Sequence, residues 1–155
     1  MKNSNLKILI EKAVEKEKEA QDLYINLSNV VTDKKAKNTL LYLAEQEKIH
    51  KEFLIGYMDG IYSMNSLKMH EIIDYKIAQY LDNPEPKENI ENKDVYLVAA
   101  QNELNLHNFY ISLAEIQPYG IVKKTMIRMA AEELKHKEDM EYLYSNTAFP
   151  KTKDG

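Results

Sequence analysis

Apolar side chains between Leu40 and Tyr57 recur at gaps of three and four, at Leu40, Leu43, Leu54 and Tyr57, and Glu47 and His50 fill the two missing beats. A stripe with this period is one face of an amphipathic helix, so both polar residues are predicted to point into a helix-bundle core. The same periodicity predicts four helices: one from about Asn5 to Val31, a second from about Asp33 to Tyr57, a third from about Asn92 to Ile116 and a fourth from about Gly120 to Tyr144. The joints VVTDKK and QPYG are too short for anything but antiparallel hairpins. Between the hairpins, Met58 to Glu91 is long enough to cross a bundle from end to end, with a short helix expected near His70 to Leu81 and then the linker-like DNPEPKEN. The final SNTAFPKTKDG carries no pattern, so the reading is an all-α bundle over 1–145 followed by a frayed tail over 146–155.

The two hairpins repeat one another. With an offset of 86 residues, AVEKEKEAQDLYINLS from Ala13 aligns with AAQNELNLHNFYISLA from Ala99, pairing Glu17 with Glu103 and Tyr24 with Tyr110. The offset holds in the partner helices, where LLYLAEQEKIH meets MIRMAAEELKH and pairs Glu47 with Glu133 and His50 with His136.

Register then places the repeated polar residues at one level. Glu17 lies sixteen residues before the turn at Asp33, and Glu47 and His50 lie fourteen and seventeen after it. At about 1.5 Å per residue all three fall within about one helical turn of the same height. Glu103, Glu133 and His136 repeat this spacing about Tyr119. Four carboxylates in an apolar core cannot remain charged and unpaired, since burying one such ion costs several kcal/mol. No lysine or arginine lies on the inward stripes, whereas two divalent cations would balance four carboxylates and accept one neutral imidazole each. The six residues are therefore predicted to be metal ligands. The alternative is a buried polar network left by the duplication, and the retention of all six residues favours the metal.

Composition narrows the chemistry further. The 155 residues are 44% hydrophobic, enough for one domain with a real core, and the four prolines and four glycines leave room for long helices. Twenty-one basic and twenty-five acidic residues are interspersed with a net charge of -4, which offers no stripe for nucleic acid. The absence of cysteine excludes disulfides and thiolate metal sites, so a metal must be held by nitrogen and oxygen. The apolar run Ile8 to Ile10 is far shorter than a signal-peptide core or a membrane span, making the cytoplasm the expected compartment.

Glu17, Glu47-x-x-His50, Glu103 and Glu133-x-x-His136 match the ligand pattern of ferritin-like di-iron carboxylate proteins, whose bundles also join two hairpins by a long crossover. Within that class the chain resembles the rubrerythrin-like branch, through a Glu followed seven residues later by Tyr on helices one and three and through LAEQEKIH on helix two. The resemblance covers about residues 5 to 145. It implies a cytoplasmic homodimer holding two Fe ions, with Mn possible, that reduces hydrogen peroxide or oxygen with electrons from a redox partner. It also implies that Glu47 and Glu133 bridge the metals, that Glu17 and Glu103 each cap one, and that His50 and His136 complete the shells, making the four glutamates the catalytic set.

Two departures stand out. The chain has no rubredoxin-like domain, so electrons would come from a separate protein such as a rubredoxin. Leu106 occupies the position, one turn after Glu103, where rubrerythrins carry a further carboxylate. Two other functions are compatible with the same ligands: ferritin-like Fe(II) oxidation and iron handling, or a non-catalytic interaction protein stabilised by metal.

Tyr24 and Tyr110 on the inward stripes either hydrogen-bond to ligand carboxylates or fill space. His107 lies off the stripe, and its repeat mate is Gln21, so it is expected as a half-exposed helix histidine. His70 has no partner signal. Met126, Met129 and Met140 are assigned to the core.

Overall fold

The computed structural model describes residues 2–60 and 90–148. Nearly all of them lie in four helices: α1 (Lys2–Val30), α2 (Lys34–Met58), α3 (Ile90–Glu115) and α4 (Ile121–Ala148). No strand occurs among the described residues. α1 packs along α2, and α3 along α4, as two antiparallel hairpins.

The first hairpin is closed by local chemistry. Asp33 has extended backbone angles (φ -80°, ψ 130°), and its Oδ2 accepts a hydrogen bond from the Ala36 amide at 2.8 Å, capping α2. A cap of this kind is worth about 1 kcal/mol. Lys37 Nζ donates to the Ser28 carbonyl at 3.0 Å, satisfying an acceptor in the last turn of α1 that the helix itself leaves open. At its far end α2 stops at Gly60, whose φ of 78° is left-handed and whose amide donates to the Tyr57 carbonyl at 3.1 Å.

Two helix limits differ from the periodicity. α3 begins at Ile90 instead of Asn92, and α4 runs through Ser145, Asn146 and Thr147 to Ala148, so the expected tail does not begin at residue 146. The reason is anchorage: Leu143 is buried and Tyr144 packs on the same cluster, which holds the last turns, and no proline interrupts the chain before Pro150. The short helix expected near His70 to Leu81 and the linker DNPEPKEN lie outside the described residues.

The core consists of two apolar clusters with a polar layer between them. One contains Tyr24, Leu40, Leu43, Tyr96, Leu106 and Met140; the other contains Ile10, Phe53, Leu54, Tyr110, Met126 and Met129. Each fully buried large side chain contributes about 1.5–3 kcal/mol relative to exposure, so the clusters supply the stability that the polar layer costs. The clusters also mark the ends of the bundle. Val31 and Ala36 at the first turn share a cluster with Val95 at the start of α3, whereas Met58 at the end of α2 packs on the opposite cluster beside Val122. α2 therefore ends, and α3 begins, at opposite ends of the bundle. No helix among the described residues is long and apolar enough to cross a membrane.

Candidate metal centre

Every ligand candidate read from the stripes lies in the middle layer. Glu17 (α1), Glu47 (α2), Glu103 (α3), Glu133 and His136 (α4) are 0% exposed, and His50 (α2) is 2% exposed. Helical spacing explains the local geometry: His50 follows Glu47 and His136 follows Glu133 at i+3, so each pair points from one face about a turn apart.

The six side chains form two overlapping sets. Glu17, Glu47, His50 and Glu133 each bring a ligand atom within 4.8 Å of the others, and so do Glu47, Glu103, Glu133 and His136. In the first set His50 Nδ1 is 3.4 Å from Glu17 Oε2, 3.2 Å from Glu47 Oε1 and 3.8 Å from Glu133 Oε2. In the second, His136 Nδ1 is 3.1 Å from Glu103 Oε1 and 3.4 Å from Glu133 Oε1. Glu47 and Glu133 belong to both sets, Glu17 and His50 only to the first, and Glu103 and His136 only to the second.

Many polar atoms of this layer are left unsatisfied by the protein, although His136 Nδ1 donates to Glu103 Oε1 at 3.1 Å. Glu17 Oε1, both carboxylate oxygens of Glu47 and of Glu133, His50 Nδ1 and His136 Nε2 are buried without a hydrogen-bond partner among the described residues. His50 Nδ1 thus lies near three carboxylates without hydrogen-bond alignment to them. Each orphaned buried polar atom costs about 1–3 kcal/mol, and such a concentration calls for a compensating charge. A hard or borderline divalent cation suits a carboxylate and imidazole donor set, so the residues present could hold metal.

Electrostatics point the same way. Burial, reinforced by the charges of Glu103, Glu133 and Glu17, holds the Glu47 carboxyl well above the usual carboxylate range. Burial, with Glu103 and Glu17, pushes Glu133 up to about 7. For Glu103, burial acts upward but the hydrogen bond and charge of His136 outweigh it, and the net shift is downward. Burial pulls both imidazoles down, but the carboxylates win: Glu17 and Glu133 raise His50, and Glu103 and Glu133 raise His136 to about 10. Without metal, protons carry the compensating charge.

Tyr24 and Tyr110 make the hydrogen bonds that the sequence left open as one alternative. Tyr24 Oη donates to Glu103 Oε2 at 2.5 Å, and Tyr110 Oη donates to Glu17 Oε2 at 2.5 Å, so each hairpin orients a buried glutamate of the other. Burial and the adjacent carboxylates raise both phenols well above their ordinary value, keeping the protons on the tyrosines. Asn102 Nδ2 in turn donates to Tyr24 Oη at 3.0 Å. A cavity of about 180 Å³ is lined by Lys16, Glu19, Asn102, Asn105 and Leu106, in which Lys16 and Asn102, and Glu19 and Asn105, are repeat mates.

His107 is half-buried and outside both sets, its Nδ1 donating to the Ala130 carbonyl at 2.6 Å, while Met126, Met129 and Met140 are core residues. His70 lies outside the described residues. Sequence reasoning missed Glu132: it is buried, with Oε1 3.3 Å from His50 Nε2. The available signal was its repeat mate, Gln46, since the offset that pairs the six ligand candidates breaks from glutamate to glutamine there.

Fold and site together define a four-helix protein with a buried carboxylate and imidazole centre able to hold metal. Comparison of the chain with protein-family models, with curated proteins and with solved structures returns no match.

Proposed function

We propose that the chain is a ferritin-like di-metal oxidoreductase of rubrerythrin-like type, which reduces hydrogen peroxide or oxygen with electrons from a separate donor protein. The observation that carries this reading is the division of six buried ligands into two sets that share Glu47 and Glu133. Two shared carboxylates and two private glutamate and histidine pairs suit a dinuclear centre better than a single ion. The placement of the end of α2 and the start of α3 at opposite ends of the bundle supports a ferritin-like crossover.

In this reading Glu47 and Glu133 would contribute to holding both ions, Glu17 and His50 would hold one, and Glu103 and His136 the other. A pair of redox-active ions, iron or alternatively manganese, would supply the two electrons that cleavage of an O–O bond requires. The chain's own residues do the rest. The apolar clusters above and below the layer keep bulk water out and strengthen every electrostatic contact within it. Tyr24 and Tyr110 hold protons at Oη and fix the carboxylate orientation of Glu103 and Glu17. Net turnover of peroxide consumes two electrons and two protons and yields two waters; the electrons come from the partner protein.

The test is anaerobic loading with Fe(II), followed by mixing with hydrogen peroxide or with oxygen while the iron absorbance is followed. The proposal expects rapid oxidation of two Fe(II) per chain. Loaded protein inert to both oxidants would overturn it.

A further inference from the structure

The duplicated halves match at all six ligands yet differ at one buried polar position beside them. Glu132, on α4 next to Glu133, is 8% exposed and places Oε1 3.3 Å from Nε2 of His50 on α2, while the other nitrogen of that ring faces Glu17, Glu47 and Glu133. A carboxylate on Nε2 keeps the ring proton there, leaves the Nδ1 lone pair turned toward the ligand set, and makes that nitrogen more basic. Glu132 does not belong to either ligand set.

The second half has no such anchor. The repeat mate of Glu132 is Gln46, which is buried and neutral, and His136 Nε2, equivalent to the anchored nitrogen of His50, has no hydrogen-bond partner among the described residues. The ring of His136 instead meets the edge of Tyr42, with centroids 6.5 Å apart and planes at 80°. Its Nδ1 donates to Glu103 Oε1 at 3.1 Å, and no acceptor on Nε2 holds the ring proton there so as to leave the Nδ1 lone pair free.

We infer that Glu132 is a positioning residue that makes the two metal positions unequal: the position formed with Glu17 and His50 takes its ion first and holds it more tightly, and the position formed with Glu103 and His136 is the exchangeable one. The inference rests on the di-metal reading and deepens it. Loss of a carboxylate behind a ligand histidine lowers metal affinity by about 10- to 100-fold, which sets the expected size of the effect.

The test is an anaerobic equilibrium titration of the metal-free full-length protein with Co(II), followed by its visible absorbance. Because shared carboxylates alone can separate two binding steps, the identity of the tighter step decides the matter. His136→Ala should keep the tight step and lose the weak one, and His50→Ala should do the reverse. Glu132→Leu should weaken the tight step by about 10- to 100-fold and leave the weak one in place. Gln46→Glu, which adds the missing anchor and does not depend on the first variant folding, should tighten the weak step. In proton spectra of the Zn(II)-loaded protein the His50 Nε2 proton, held by the Glu132 carboxylate, should lie downfield of the His136 Nε2 proton and move upfield in Glu132→Leu, a signature that a merely structural Glu132 would not give. Two ions bound with a tight step that survives His50→Ala, or with affinities indifferent to both Glu132→Leu and Gln46→Glu, would overturn this inference alone. A chain that binds no cobalt would overturn the di-metal reading itself.

Discussion

Tyr24 on α1 donates its hydroxyl to Glu103 on α3 at 2.5 Å, and the repeat returns the bond, Tyr110 on α3 donating to Glu17 on α1. Each hairpin therefore completes the other's ligand orientation, and neither hairpin carries a finished site by itself. The exchange also ties α1 to α3 across the polar layer, where apolar contacts are interrupted.

Removing one of these donors should loosen a ligand without emptying the core. Tyr24→Phe keeps the ring in its apolar cluster but leaves Glu103 Oε2 without its phenol, at an expected cost of about 1–3 kcal/mol in the metal-free protein. Metal affinity should fall by about 10- to 100-fold. Thermal melts and a metal titration of the variant check both. Unchanged values in both would assign Tyr24 to space filling.

Replacing the two shared carboxylates should separate folding from binding. Glu47→Leu with Glu133→Leu removes two buried acids whose oxygens have no hydrogen-bond partner among the described residues, and replacing buried charge by apolar volume is neutral or stabilising by about 1–4 kcal/mol. The double variant is expected to melt at or above the temperature of the metal-free wild type and to bind no metal. A variant that fails to fold, judged by circular dichroism, would count against the placement of both residues in the core.

The stabilisation by metal should grow with pH. Glu133, raised by burial to about 7, contributes stability that is complete below its ordinary 4.5 and lost as pH rises through about 7. His136, raised by Glu103 and Glu133 against the opposing effect of burial to about 10, contributes stability complete below 6.5 and lost as pH rises through about 10. Glu103 works the other way: its depressed value makes a contribution present above 4.5 and lost on acidification through the depressed value. The metal-free protein should therefore lose stability from about pH 5 to about pH 9. Metal binding expels the same protons, so the loaded protein should gain on its metal-free form over that range. Melting curves with and without metal at several pH values measure the difference. A metal stabilisation that does not change with pH would contradict an imidazole and carboxylate shell.

How much of this was legible in the sequence follows from what periodicity can encode. The six buried polar residues of the layer were legible because each interrupts an apolar stripe, and a charged residue on such a stripe has few physical explanations. The hairpins were legible because short joints leave only one arrangement. Glu132 was not, because it stands beside the stripe on α4 and acquires its role only through His50 on α2, a contact between helices that spacing along one helix does not contain. The hydroxyls of Tyr24 and Tyr110 were ambiguous for the same reason, since an inward tyrosine fills space equally well before its partner across the bundle is known. The end of α4 was placed too early because its last turns are held by Leu143 and Tyr144 packing on the core instead of by a pattern of their own.

Leu106 should influence the choice of oxidant. It is buried three residues beyond Glu103 and lines the cavity with Asn102 and Asn105; under the proposed rubrerythrin-like reading, this is the position of a further carboxylate. With leucine there, the reduced protein is expected to react with oxygen at a rate comparable to peroxide, and Leu106→Glu should shift the ratio toward peroxide. Anaerobic stopped-flow mixing with each oxidant gives the ratio for both variants. An unchanged ratio would remove Leu106 from the mechanism.

The central claim is that four buried glutamates and two buried histidines persist in this core because they hold a pair of ions. Its most direct test is the metal content of the full-length protein after anaerobic equilibration with Fe(II) and removal of free ion, measured by inductively coupled plasma mass spectrometry on protein of known concentration. The account predicts two tightly held ions per chain, falling to none in the Glu47→Leu, Glu133→Leu variant. A folded wild type that retains no ion would contradict it.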